Sequence, residues 1–114
     1  MPDPAPPAKL YVVVDAALSP GQQLAQAVHA AFQLSYRFPS ATARWFADSN
    51  YLVVLSSPDP EAHARQLVNW AKCVVVHEPD LPDNPVTAVA FLPHPSVGRA
   101  LSSLPLALKQ VAMA

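Results

Sequence analysis

The sequence predicts one α/β domain, a three-layer α/β/α sandwich on a mixed four-stranded sheet. Three observations carry this. Four short runs rich in β-branched residues (KLYVVVD, YLVVLS, KCVVVH and VTAVAFL) are each bounded by polar residues or turn signals. Helix-patterned segments separate the first three, and alternation of strand and helix argues for parallel pairing with helices covering the sheet. Only a turn-rich loop, Glu78 to Pro85, joins the third run to the fourth, which suits an antiparallel partner.

Residues 1–8 carry four prolines and are expected to form a flexible leader, so that the domain spans 9–114. Lys9 to Asp15 is the first strand. Ser19 to Phe38 then reads as a helix of about five turns, with Ser19 as cap, Pro20 at the first position and Pro39 as the stop. Around this helix Leu24, Val28, Ala31, Phe32 and Ser35 form an apolar to small stripe. Gln22, Gln26, His29 and Gln33 form an uncharged polar arc on the outer face. Ser40 to Asp48 can make a short second helix, ended by the turn signal Asp48-Ser49-Asn50. Tyr51 to Ser56 is the second strand. Asp59, Pro60 and Glu61 give a strong start to the next helix, with Leu67, Val68, Trp70 and Ala71 expected to face inward. Lys72 to His77 and Val86 to Leu92 are the remaining strands. A last helix opens at Pro93-His94-Pro95-Ser96 and runs to about Ser103, and the C-terminal LPLALKQVAMA is expected to dock loosely or fray.

The composition narrows the function. With 114 residues, 52 % of them hydrophobic and 13 % charged, the chain has the make-up of a globular domain rather than a disordered one. A formal net charge of −1 gives no overall electrostatic case for nucleic acid or for a membrane surface, so contact with RNA needs a local basic patch. No stretch reaches the ~18 apolar residues of a membrane span, and no signal-peptide pattern opens the chain, which is read as cytoplasmic. The single cysteine, Cys73, rules out a disulfide within the chain and reads as a core thiol. With Gly21 and Gly98 the only glycines, no phosphate-cradling loop is present, nor any G-x-S-x-G elbow. Trp45 and Trp70 read as core or subunit-contact residues.

Two clusters remain. His29, flanked by Gln26 and Gln33 one turn away on either side, can hold a polar ligand or move a proton near neutral pH. Equally, the arc can be an ordinary solvent face. Glu78, Asp80, Asp83 and Asn84 follow the third strand, where open α/β sheets place their chemistry, and that loop and the start of the long helix should share one edge. Asp80 would then approach Gln22, Gln26 and His29, unless the loop is simply a solvated acidic turn. Irregular spacing among prolines argues against a metal site built from His77, Glu78, Asp80 and Asp83.

The stretch KLYVVVDAALSPGQQLAQAVHAAF resembles the opening of the archaeal and eukaryotic-type peptidyl-tRNA hydrolases, the second class of that activity. Their first helix reads roughly K-x-A-A-Q-x-x-H-A, and Gln26, His29 and Ala30 match its Q-x-x-H-A part. The resemblance extends over about Lys9 to Leu104 and implies the same mixed four-stranded α/β/α sandwich. It also implies an esterase that releases a peptide from tRNA by water attack, without a cofactor. Carried over by position, the catalytic candidates are His29, Gln26, Asp80 and Gln22. Gln33, Asn84 and Thr87 are candidates for substrate binding, and peptidyl-tRNA is the implied partner. Gln22 stands where the family has a lysine and cannot bring positive charge to an oxyanion or phosphate. The loop after Asp80 also lacks the family's arginine and glycines. The alternative is therefore a non-catalytic binding module on the same scaffold. A homodimer using Trp45 and Phe46 is compatible with either.

Overall fold

Val12, Val13 and Val14 lie side by side at the centre of the molecule, and none of the three is reached by solvent to any useful extent. They belong to β1 (Lys9–Asp15), the inner strand on which the other elements are assembled. The computed structural model describes residues 7–108, so the expected leader, apart from Pro7 and Ala8, and the last six residues lie outside them. After β1 come α1 (Pro20–Arg37), α2 (Pro39–Asp48), β2 (Tyr51–Ser57), α3 (Pro60–Leu67), β3 (Cys73–His77), β4 (Val86–Phe91) and α4 (Pro95–Ala100).

The four strands form a mixed sheet in the order β2-β1-β4-β3. β1 and β2 run parallel, with Lys9 opposite Tyr51 and Asp15 opposite Ser57. β4 is antiparallel to both of its neighbours, β1 and β3. Because successive side chains leave a strand on opposite faces, β1 feeds two cores. Leu10, Val12 and Val14 pack with Ala27, Ala30 and Leu34 of α1 on one face. Val13 packs with Ala64 and Leu67 of α3 and Val97 of α4 on the other. The three layers follow from that division.

Several boundaries and faces differ from the sequence expectation. In α1 the buried residues are Gln23, Gln26, Ala27, Ala30 and Leu34, while Leu24, Val28 and Phe32 of the expected apolar stripe are exposed. The buried set keeps the i, i+3, i+4, i+7, i+11 spacing of a helix face, but it is built of small residues and amides. Ala27 and Ala30 let the helix lie close to the sheet. Gln23 is satisfied there: its Nε2 donates to Leu18 O at 2.9 Å, and its Oε1 accepts from Leu108 N at 3.2 Å. α3 stops at Leu67, and the following turn leaves Val68 and Trp70 exposed rather than inward. Backbone bonds from Trp70 N and Ala71 N to Leu67 O close that turn and return Ala71 to the core. Trp45 is partly buried and donates from Nε1 to Tyr51 O. Cys73 is only half-buried, and burial pushes its thiol above the ordinary value. α4 ends at Ala100, short of Ser103. Beyond it the chain docks: Ser56 N donates to Pro105 O and Ala107 N to Val54 O, so residues 105–107 cover the outer edge of β2. No helix among the described residues is long and apolar enough to cross a membrane.

Candidate functional site

The site lies where α1 begins and β3 ends. Ser19 caps α1 through its hydroxyl, which accepts from Gln22 N, and Gln22 returns its Oε1 to Ser19 N at 3.1 Å. This reciprocal pair satisfies two backbone donors that a helix start leaves free. It also fixes the carbonyl end of the Gln22 side chain, leaving its NH₂ as the group able to meet a ligand.

One turn further along, Gln26 is buried between two partners. Its Oε1 accepts from Thr87 Oγ1 at 2.7 Å, and its Nε2 donates to Glu78 Oε2 at 2.8 Å. Thr87 reaches Gln26 because β4 is irregular there. Val76 pairs with Ala88 and His77 with Val86, so Thr87 is the extra residue of a bulge. A bulge re-aims a side chain that alternation would send to the other face. Val86 and Val89 pack toward α3 and α4, Ala88 toward α1, and Thr87 joins Ala88 on the α1 side.

Glu78 follows β3 directly. Its Oε1 accepts from Asp80 N at 3.0 Å. The Asp80 amide, then the Gln26 side chain, with smaller contributions from the Asp80 side chain and the charge of His29, hold its carboxyl below the ordinary glutamate range. Each of these favours the charged form over the neutral one. The loop then folds back through Asp83 and Asn84, both in the left-handed region at φ 67° and 47°. Aspartate and asparagine adopt that conformation more readily than other side chains. Glu78 N donates to Pro85 O and closes the loop at its base.

Together these groups line a cavity of about 210 Å³ formed by Leu18, Gln22, Ala25, Gln26, Glu78, Asp80, Leu81 and Thr87. The structure thus brings Gln22, Gln26, Asp80 and Thr87 to one cavity. His29 is exposed on α1 and is not part of the cavity lining. Gln33 does not join them, lining a separate groove with Phe32, Tyr36 and Arg37. Asn84 is exposed in the loop turn, outside the cavity lining. The family resemblance places the loop carboxylate at Asp80, yet the carboxylate bonded to Gln26 is that of Glu78. Strand alternation could have found it, since position 78 continues the Val74–Val76 face that packs against α1.

The cavity lining is chemically simple: two carboxylates, two primary amides, one hydroxyl and no cation. It can orient a water molecule against a carboxylate and offer amide N–H donors to a developing negative charge. Among the described residues no three His, Cys, Asp or Glu come together as metal ligands. A serine–histidine contact exists elsewhere, with Ser57 Oγ 2.9 Å from His63 Nε2. Ser57 is buried and its hydroxyl also accepts from Asp59 N, so it serves the turn into α3 rather than a substrate. In comparison with known proteins, no protein-family model and no curated sequence matches the chain.

Proposed function

We propose that the chain is a peptidyl-tRNA hydrolase-like carboxylic ester hydrolase, acting at the cavity between α1 and the Glu78–Pro85 loop. The observation that supports this reading is the hydrogen-bonded series Thr87–Gln26–Glu78. It joins Gln26 of the helix motif on which the family resemblance rests to the acidic loop and the fourth strand.

In this reading Glu78, ionised and held by Gln26, orients a water molecule, with Asp80 beside it and His29 nearby to take up a proton. The water oxygen attacks the ester carbonyl carbon. The bond to the ribose oxygen breaks, that oxygen takes a proton, and the acyl group leaves as a carboxylic acid. The free NH₂ of Gln22 donates to the carbonyl oxygen as charge builds on it, a neutral substitute for the lysine of the family. No cofactor is needed.

The second reading, a binding module that has lost hydrolysis, is favoured by two observations. The Gln22 carbonyl is engaged in the helix cap, and the cavity lining has no cation of its own. Incubating the purified chain with an N-acetylated aminoacyl-tRNA separates the two. Release of the acyl group, lost in Glu78→Gln, is the expected result. Saturable binding without release points to the module, and neither binding nor release removes both readings.

A further inference from the structure

The two edges of the sheet are finished differently. Residues 105–107 of the same chain cover β2. β3, at the opposite end of the strand order, has no neighbour beyond it among the described residues. Leu92 N donates to Lys72 O at 2.9 Å. Antiparallel alternation from that bond turns the N–H and C=O groups of Cys73 and Val75 outward. Beside them runs a groove of about 510 Å³ lined by Phe32, Gln33, Tyr36, Arg37, Val74 and Val75. Phe32 is 73 % exposed and Tyr36 91 %. The strand CVVVH carries no lysine, carboxylate or proline, the residues that ordinarily protect a sheet edge from pairing.

The charges at its two ends say what fits. Lys72 precedes β3, its ammonium 5.6 Å from the Phe38 ring centroid, and Arg37 adjoins Phe38. Glu78, Asp80 and Asp83 follow the other end. An edge that is basic at its start and acidic at its finish is complementary to itself when reversed. Antiparallel pairing centred on Val75 sets the outward groups of Val75 against those of the same residue in a second copy. The same register puts Lys72 opposite Glu78. Both side chains stand on the α1 face, Lys72 over Phe38 and Glu78 against Gln26, so they meet as a cross-strand pair, twice.

We propose that a second copy of this chain docks on the open edge of β3, making one continuous eight-stranded sheet across a twofold axis. The axis stands perpendicular to the sheet, so Phe32 and Tyr36 of both copies meet on the α1 face. Four aromatic rings, each able to bury about 150–250 Å², supply most of the about 1,000 Å² that a specific interface needs. The contact is isologous and closes on itself, which protects the edge without building fibres. An extended peptide from another protein meets the same backbone groups, but nothing then accounts for the self-complementary charge. The pairing also lends Lys72 of the second copy to Glu78, beside a cavity with no cation in its own lining. Only that last consequence rests on the hydrolase reading; the pairing does not.

Analytical ultracentrifugation of the full chain tests the interface. The expected mass is twice the 12.2 kDa of one chain. Val75→Pro should give a folded monomer, because the N–H it removes faces outward and not toward β4; an unchanged far-UV spectrum establishes the fold. Lys72→Glu, at an exposed position, should weaken the dimer about tenfold by placing like charges opposite each other at two sites. Mixing it with Glu78→Lys should restore a heterodimer. A wild-type monomer at every soluble concentration overturns the proposal and leaves the groove to an extended peptide. A dimer that survives Val75→Pro, or a mixture that fails to reassemble, overturns it as well. Acyl release that persists in a monomeric Val75→Pro removes the lent lysine while leaving both the interface and the hydrolase reading standing.

Discussion

The two halves of α1 present a contrast. Its first half buries glutamines, and its second half exposes aromatic rings. Gln23 and Gln26 lie under the helix near its start, while Phe32 and Tyr36 project from it near its end. Hydrophobicity counted along the helix would turn it the other way. The energetics explain the outcome. A buried amide with both ends hydrogen-bonded costs little, and alanines permit a close approach that leucine and phenylalanine would prevent. The rotation of α1 is therefore set by where its amides find partners and by which residues are small.

The sharpest way to test that contrast is to make one substitution in two places. Leu34 is fully buried against the sheet and Leu24 is exposed. Leu34→Ala should cost about 2–5 kcal/mol, as core leucine truncations do. Leu24→Ala, on the stripe that periodicity selects as the core, should change stability by no more than about 0.5 kcal/mol. Chemical denaturation of both variants reads the difference directly. Equal losses would mean that α1 is rotated from the position described.

The next effect concerns the buried amide itself. Gln26→Leu removes the acceptor of the Thr87 hydroxyl, which is entirely buried, and should cost about 1–3 kcal/mol. Thr87→Val should cost a similar amount by stranding the amide oxygen. The double variant, with neither polar group left unpaired, should be more stable than the sum of the two losses by about 1 kcal/mol. Strict additivity would show that the two side chains do not depend on one another. If the chain is the hydrolase proposed, acyl release should fall in all three, since each loosens the hold on Glu78.

These residues also show what was legible in the sequence. The four strands, the three main helices, the Ser19 cap and the antiparallel last pair follow from local chemistry, and all are present in the fold. The face of α1 was not legible, because it depends on partners brought from 52 and 61 residues away. Thr87 reaches Gln26 through a bulge, and a period-two reading of VTAVAF sends it to the opposite side. Glu78 was within reach of strand alternation, which continues the Val74–Val76 face to position 78, but the bond it accepts from Asp80 N belongs to the turn of the loop itself.

A smaller effect is expected at the cap. Ser19→Ala should cost about 1 kcal/mol and remove the hydroxyl that donates to the Gln22 carbonyl, leaving that carbonyl held by the backbone N–H of residue 19 alone. If Gln22 serves the cavity through a fixed NH₂, the variant should lower acyl release more than its small stability loss explains. If Gln22 matters only to the helix, release should follow stability. Measuring both at a temperature well below the melt separates these outcomes.

The least effect on stability, and the most specific, is that of acid. The Glu78 carboxyl is held below its ordinary value of 4.5, chiefly by the Asp80 amide and then by Gln26. A group whose value is lowered in the folded chain favours folding above its unfolded value. That contribution is complete at neutral pH and is lost as the pH falls below 4.5 toward the folded value. Because Glu78 is solvent-accessible, the change in melting temperature should be modest, and Glu78→Gln should flatten it in that window alone. Carboxyl NMR titration should find the Glu78 midpoint below the ordinary 4.5. In Gln26→Leu the Glu78 midpoint should move upward while retaining the part due to the Asp80 amide. A midpoint unchanged by Gln26→Leu would separate the glutamine from the carboxylate, and the first half of α1 would then bury its amide for Thr87 alone.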